Sequence, residues 1–289
     1  MTGRDVLQLM RPHHWVKNGF VLAGVLFGHA WDAPDFLAAA LVATAAFCLA
    51  SSAVYAFNDA LDAERDREHP EKNIRPVARG AISVAAAHGI AGLLAVAALG
   101  LAAWEGWPVA ALVGAYLVLN AAYSLGLKHV PVVDVFIIAA GFMLRLLAGT
   151  WGIGIEPSRW LLACGFLLTL FLGFAKRRAE LERLAEDAGQ HRAVLESYSL
   201  AFLDRAVFVC VIGMVVTYAL YTVSEETVAL HGTENLIWTL PWVLLGSFRY
   251  LFRLHYRGGG GDPTLELLHD PMIAAAALGW VATVLWLIG

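Results

Sequence analysis

Ala56-Phe57-Asn58-Asp59-Ala60-Leu61-Asp62-Ala63-Glu64-Arg65-Asp66 closes a long apolar run, and His69-Pro70-Glu71-Lys72-Asn73-Ile74-Arg75-Pro76 follows at once. Acidic side chains beside a bilayer are costly and tend to mark function. If the run continues as a helix, Asp59, Asp62 and Asp66 stand at i, i+3 and i+7, within about 60° of one another. Asn58, Asp62 and Asp66 form a second row at i, i+4 and i+8. Such a face repels itself unless a cation or basic groups neutralise it. Its hard oxygen ligands suit Mg²⁺, which is commonly held by one or two carboxylates plus substrate phosphates. The spacing therefore points to a Mg²⁺-diphosphate clasp at a membrane surface, with Asn58, Asp62 and Asp66 as metal ligands and Asp59 beside them. The plainer alternative is a solvated acidic helix end balanced by Arg65, Arg67 and Lys72.

The rest of the chain supplies the membrane. It has 289 residues, 59% of them hydrophobic and only 15% charged, with a mean hydropathy of +0.65. That composition excludes an ordinary soluble domain. Apolar stretches suited to a hydrocarbon core of roughly 30 Å fall at about 18–31, 36–58, 82–103, 107–125, 131–150, 159–175, 204–223, 235–252 and 271–289. The expectation is an all-α integral membrane protein with nine transmembrane helices. One membrane domain, 1–289, should carry its catalytic loops at about 60–81, 124–131 and 176–203. The segment after 176 is expected to be helical, since Leu181, Leu184, Ala185 and Ala188 share a face.

The basic residues agree with an odd helix count. Arg4, Arg11 and Lys17 precede the first span; Arg65, Arg67, Lys72, Arg75 and Arg79 follow the second. Lys128 follows the fourth, Lys176, Arg177, Arg178, Arg183, Arg192 and Arg205 surround the loop after the sixth, and Arg249, Arg253 and Arg257 end the eighth. All fall on one side. Of the 20 Lys and Arg residues, only Arg145 and Arg159 do not. The positive-inside rule makes that side, and the acidic motif with it, cytoplasmic; the N-terminus is then inside and the C-terminus outside. The net charge of −4 says little, because the charges are segregated.

The basic loops bring further candidates toward the carboxylates: Lys17 and Asn18, Lys72 and Arg75, Tyr123 and Lys128, Asp134, and Lys176, Arg177 and Glu180. Basic groups converging with Mg²⁺ ligands would bind a polyphosphate, although anchoring alone also places Lys and Arg at helix ends. Arg145 has two readings, snorkelling to the far interface or pointing into the bundle. Cys48, Cys164 and Cys210 lie in apolar spans without CxxC spacing and read as core residues. Trp31, Trp104, Trp107, Trp151 and Trp160 suit an interfacial belt. Residues 1–17 suit an interfacial helix, 258–261 a glycine linker, and Asp270-Pro271 a helix start.

Asn58-Asp59-x-x-Asp62-x-x-x-Asp66 after a membrane helix resembles the first aspartate-rich motif of the UbiA superfamily of intramembrane prenyltransferases. The resemblance covers essentially the whole chain. It implies a nine-helix, UbiA-type horseshoe around a lipid-open cavity capped by cytoplasmic loops. Aromatic prenyltransferases of that superfamily carry a second DxxxD motif after helix six, where this chain has Lys176-Arg177-Arg178-Ala179-Glu180-Leu181. A narrower branch fits better. Arg11-Pro12-x-x-Trp15-x-Lys17-Asn18, Asp66-Arg67-Glu68-His69-Pro70, Tyr123-Ser124-x-x-Leu127-Lys128-His129 and Lys176-Arg177-x-Ala179-Glu180-Leu181 resemble the decaprenyl-phosphate phosphoribosyltransferase family.

That resemblance implies Mg²⁺-dependent transfer of 5-phosphoribose from phosphoribosyl pyrophosphate to a polyprenyl (decaprenyl) phosphate, for arabinan precursors of a cell wall. It also implies a multi-pass protein of a bacterial inner (plasma) membrane with its site facing the cytoplasm. No nucleic-acid partner is expected, and homo-oligomerisation stays open. Two rivals remain. One is polyprenyl transfer to an aromatic acceptor for quinone synthesis. The other is a transporter or scaffold for anionic solutes, for which the repeated halves and broken midplane helices of transporters are not evident in the sequence.

Overall fold

The computed structural model describes residues 1–186, 195–256, 259, 261, 266 and 269–288. Ala188, Arg192, Arg257, Gly258, Gly260 and Gly289 lie outside the described residues. The α-helices are α1 Gly3–Met10, α2 Ala23–Phe27, α3 Pro34–Leu61, α4 Ala63–Glu68, α5 Val84–Glu105, α6 Trp107–Leu125, α7 Val133–Ala148, α8 Arg159–Glu186, α9 Leu200–Val223, α10 Glu225–His231, α11 Leu240–Tyr256 and α12 Pro271–Ile288. Among the described residues seven helices are long and apolar enough to cross a membrane: α3, α5, α6, α7 with its continuation to Ile153, α8, α9 and α12.

Local chemistry sets the helix ends. Pro34 and Asp35 occupy the first turn of α3, where proline loses no hydrogen bond and a carboxylate meets the positive helix end. Ser83 caps α5, Ser199 caps α9 and Ser224 caps α10 through their hydroxyls. Asp270 Oδ1 accepts from the Met272 and Ile273 N–H groups and starts α12, as its sequence position suggests. α1 opens with a capping box of Thr2 and Asp5, and Asp5 pairs with Arg79. The hydrogen bonds from Thr2, with Arg79 beside them, hold the Asp5 carboxyl below its usual range.

The 18–31 stretch is not one helix. Pro12–Val21 is a 3₁₀ segment and α2 has only five residues. The reason is a close crossing: a Cβ on Gly24 would meet the Gly149 carbonyl oxygen at 1.9 Å, and one on Gly149 would meet the Val21 carbonyl oxygen at 1.7 Å. The 235–252 stretch likewise opens as a 3₁₀ turn, Asn235–Thr239, before α11. α8 runs past 175 to Glu186 without a break, so the helical reading of the residues after 176 merges with the sixth span.

The chain divides into two compact units. Unit one is Met1–Gly126 with Gly141–Pro157; unit two is Leu127–Ala140 with Ser158–Gly289. In unit one, α3 packs on α5 and α6 through small residues: Ala40, Ala43, Ala46, Ala50, Ala53, Ala56 and Ala60 are all buried along α3. Lipid is as apolar as a side chain, so close backbone approach and van der Waals contact hold such helices together. Phe47 and Tyr116 share one apolar cluster with Ala43, Ala46 and Ala50. In unit two, α8 packs on α9 and α11 on α12, around Phe171, Phe174, Leu203, Tyr250 and Leu254. Trp104 and Trp107 are largely exposed, and Trp107 stands edge-on to Trp151.

Candidate active site

The acidic motif sits at a joint in unit one. α3 ends at Leu61, Asp62 takes φ −93° and ψ 7°, and α4 begins at Ala63. The i to i+4 ladder still crosses the joint, with Asp62 N–H on Asn58 O at 2.9 Å and Asp66 N–H on Asp62 O at 2.8 Å. Asp59 and Asp66 are buried, at 2% and 3% exposure, while Asn58 and Asp62 are half-buried. One guanidinium bridges the buried pair: Arg75 Nη1 lies 2.6 Å from Asp66 Oδ2 and 3.2 Å from Asp59 Oδ1. Arg11 Nη2 reaches the same Asp59 oxygen at 2.5 Å, with its guanidinium 5.0 Å from the centre of the Tyr55 ring. Arg65 stands 3.8 Å from Asp62.

This is neither a bare acidic face nor a solvated one; two half-buried arginines, Arg11 and Arg75, pair with the two inner carboxylates. One oxygen is left over. Asp59 Oδ2 is buried and has no hydrogen-bond partner. A buried carboxylate oxygen without a donor, on the turn that presents Asn58 and Asp62, fits a hard divalent cation. Among the described residues no three His, Cys, Asp or Glu side chains converge as a metal cage. A Mg²⁺ ion that takes its remaining ligands from substrate phosphates needs no such cage.

Asn58 Oδ1 accepts from Ser124 Oγ at 2.5 Å, which ties the motif to the Tyr123-Ser124 end of α6. Lys17, Lys72 and Tyr123 are half-buried. Asn18 is fully buried and serves Arg145 instead, its side-chain oxygen accepting from Arg145 Nε at 2.7 Å. Arg145 thus points inward. It also donates to Gly141 O and Tyr116 Oη and lies over the Phe47, Tyr116 and Phe142 rings.

In unit two, Asp134, Arg177, Glu180 and Lys176 do come together. Arg177 is 1% exposed. Its Nε donates to Asp134 Oδ2 at 2.7 Å and its Nη1 to Glu180 Oε2 at 2.5 Å. Lys176 lies 4.0 Å from Glu180 and is nearly half exposed. Lys128, on the short turn before α7, is half-buried. Arg178 is a buried tie, bonded to Asp204, Glu182 and the Leu254 carbonyl.

Three participants escaped the sequence reading. Arg11 and Ser124 lie inside quoted motifs, so their positions were visible but their partners were not. Tyr198 had no signal at all. Its hydroxyl donates to Asp134 Oδ1 at 2.8 Å and accepts from the Val132 N–H at 2.5 Å. Burial, with Asp134 adding to it, pushes the Tyr198 phenol up to about 12, so it remains a donor at neutral pH.

A helical membrane fold with an arginine-neutralised aspartate joint defines a class, and the chain belongs to the UbiA prenyltransferase family, whose model matches residues 19–262. It is a membrane-bound transferase of that family. It is 34% identical over 287 residues to a decaprenyl-phosphate phosphoribosyltransferase of Corynebacterium glutamicum, covering 96% of this chain and 84% of that one. With the enzyme of the same name from Mycolicibacterium smegmatis it shares 33% identity over 290 residues, covering 96% and 91%. A UbiA homologue from Archaeoglobus fulgidus, solved bound to GPP and Mg²⁺, has the same fold: TM-score 0.72 at 20% identity, covering 98% of this chain and 99% of that one.

Proposed function

We propose that the protein transfers 5-phosphoribose from phosphoribosyl pyrophosphate to a polyprenyl phosphate, decaprenyl phosphate being the acceptor its relatives' name suggests. The products are polyprenylphosphoryl-5-phosphoribose and pyrophosphate, the former a precursor for cell-wall arabinan. The observation that carries the reading is the likeness to two phosphoribosyltransferases along 96% of the chain. The Lys176-Arg177-x-x-Glu180 cluster supports it, since its acids already hold Arg177 where aromatic prenyltransferases are expected to offer a second metal motif.

In the reaction the ribose C1–O bond to pyrophosphate breaks, its electron pair leaves with pyrophosphate, and C1 bonds to an oxygen of the lipid phosphate. Asp62 and Asp66, with Asn58 and Asp59, are the residues assigned to Mg²⁺. Bound there with the donor, the ion would neutralise charge developing on the leaving group. Arg75 and Arg11 keep the two inner carboxylates in place. Lys17, Lys72, Lys128 and Lys176 are assigned to the donor and acceptor phosphates. Arg177, being buried, is assigned to holding Glu180 and Lys176 rather than to gripping phosphate. The acceptor is already an anion, so no general base is required.

On this reading 1–289 is one membrane domain crossing nine times, with the stretches at about 18–31 and 235–252 supplying the two passages beyond the seven long helices. The acidic joint and the Lys176 cluster are then on the cytoplasmic side. The test is purified protein with Mg²⁺, decaprenyl phosphate and phosphoribosyl pyrophosphate. Release of pyrophosphate with formation of the phosphoribosyl lipid is expected, and Lys176→Ala should lower kcat/KM about tenfold or more by removing a charged contact to the donor. Prenylation of 4-hydroxybenzoate from a prenyl diphosphate, with no turnover of phosphoribosyl pyrophosphate, would overturn the assignment.

A further inference from the structure

Val132 is the feature the proposed chemistry leaves unexplained. It takes φ 69°, in the left-handed region that a β-branched side chain adopts only under constraint from its surroundings. Strained backbone of this kind gathers at functional sites. Here the constraint is visible. The Val132 N–H donates to Tyr198 Oη, and the same hydroxyl donates to Asp134 Oδ1 two residues on. Asp134 passes the restraint along, because its other oxygen holds Arg177 Nε, and Arg177 Nη1 holds Glu180.

Exposure rises along this chain of bonds. Asp134, Arg177 and Tyr198 are buried at 0%, 1% and 8%. The Glu180 and Lys176 side chains are 28% and 46% exposed. The inner three therefore cannot be the groups a soluble ligand meets first; the outer two can. The turn that ends at Val132 also carries Lys128.

We propose that Tyr198 is a positioning residue for the phosphoribosyl donor. One hydroxyl fixes the strained turn bearing Lys128 and, through Asp134 and Arg177, the Glu180 and Lys176 pair, so that cationic and carboxylate groups are presented to a phosphorylated sugar in one register. Only the kinetic readout rests on the proposed phosphoribosyl transfer; the bond pattern does not.

Tyr198→Phe tests it, because the ring and its stacking on Phe202 at 5.9 Å stay while the hydroxyl goes. Amide exchange across 127–134 should quicken. KM for phosphoribosyl pyrophosphate should rise about tenfold, the weight of one charge-assisted hydrogen bond, with KM for decaprenyl phosphate unchanged. Adding Val132→Gly, which tolerates the left-handed backbone, should recover part of the donor KM. Unchanged exchange in Tyr198→Phe would overturn the restraint itself. Faster exchange with both KM values and kcat falling together, or with no kinetic change, would leave a structural bond only and overturn the positioning role. Wild-type protein inactive toward phosphoribosyl pyrophosphate would overturn the functional reading alone, and the exchange measurement would still judge the restraint.

Discussion

Arg145 on α7 and Asn18 at the end of the Pro12–Val21 segment are joined by a 2.7 Å hydrogen bond across 127 positions of sequence. Asn18 Nδ2 in turn lies within reach of Cys48 Sγ and Ser51 Oγ on α3. The pair fastens the irregular segment bearing Lys17 to the helices behind it. Among the described residues no carboxylate lies within ion-pair distance of Arg145; three aromatic rings and neutral oxygens solvate its charge instead.

Replacing Arg145 by lysine is therefore expected to be a poor exchange. An ammonium cannot fork between Asn18, Gly141 and Tyr116 as a guanidinium does. Arg145→Lys should cost about 1.5–3 kcal/mol, the range for hydrogen bonds to a charged group. Thermal unfolding in detergent reads the loss, and an unchanged midpoint would show that the fork is idle.

Asp62→Asn and Asp66→Asn should both abolish turnover, but they should part company in stability. Asp62 is half-buried and only 3.8 Å from Arg65, so its loss should leave the melting midpoint near wild type. Asp66 is buried and carries the shorter bond to Arg75, so its loss should lower the midpoint measurably. Full activity of either variant at saturating Mg²⁺ would remove it from the metal site.

Gly149→Ala should prevent folding of unit one, since the new Cβ would stand 1.7 Å from a carbonyl oxygen. Gly92→Ala is the control: nothing lies within 4 Å of the Cβ it would add on α5, and helix propensity favours alanine by about 1 kcal/mol. The yield of monodisperse protein distinguishes them. Equal yields would mean that the crossing is looser than described.

Asp270 supplies a pH dependence. Hydrogen bonds from Arg249, with help from the N–H groups that open α12, depress its carboxyl to about 2. A carboxyl lowered in the folded state contributes stability above its unfolded value near ~4 and loses it as pH falls toward 2. The wild-type midpoint should drop between pH 4 and 2 by more than that of Asp270→Asn. Parallel slopes would dissociate this carboxyl from acid stability.

Much of this was legible in the chain. The stretches read at 36–58, 82–103, 107–125 and 204–223 are α3, α5, α6 and α9 to within a few residues, because a hydrocarbon core enforces long apolar helices. The 18–31 stretch gave no sign of its break into a 3₁₀ segment and a short helix, because hydropathy does not register a glycine crossing. The basic residues, read in sequence, carry no measure of their depth. Arg177 and Arg178 read as surface cations, yet both are buried, since each takes one carboxylate partner, Asp134 or Asp204, from another helix. Tyr198 lay beyond reach for the same reason, 66 positions from the valine it restrains.

The arginines around the acidic joint also bear on the order of binding. Asp59, Asp62 and Asp66 stand within ion-pair distance of Arg11, Arg65 and Arg75, three charges of each sign. With these carboxylates already paired, a lone divalent ion entering the joint would bring charge that the arginines oppose. A pyrophosphate group cancels that surplus. On the proposed reading, ion and donor should then each raise the other's affinity by the same factor, which makes the magnesium–donor complex the expected ligand. Mg²⁺ alone should barely move the melting temperature, while Mg²⁺ with phosphoribosyl pyrophosphate should raise it. On the proposed reading, a chelator should leave the melting temperature unchanged until the donor is added.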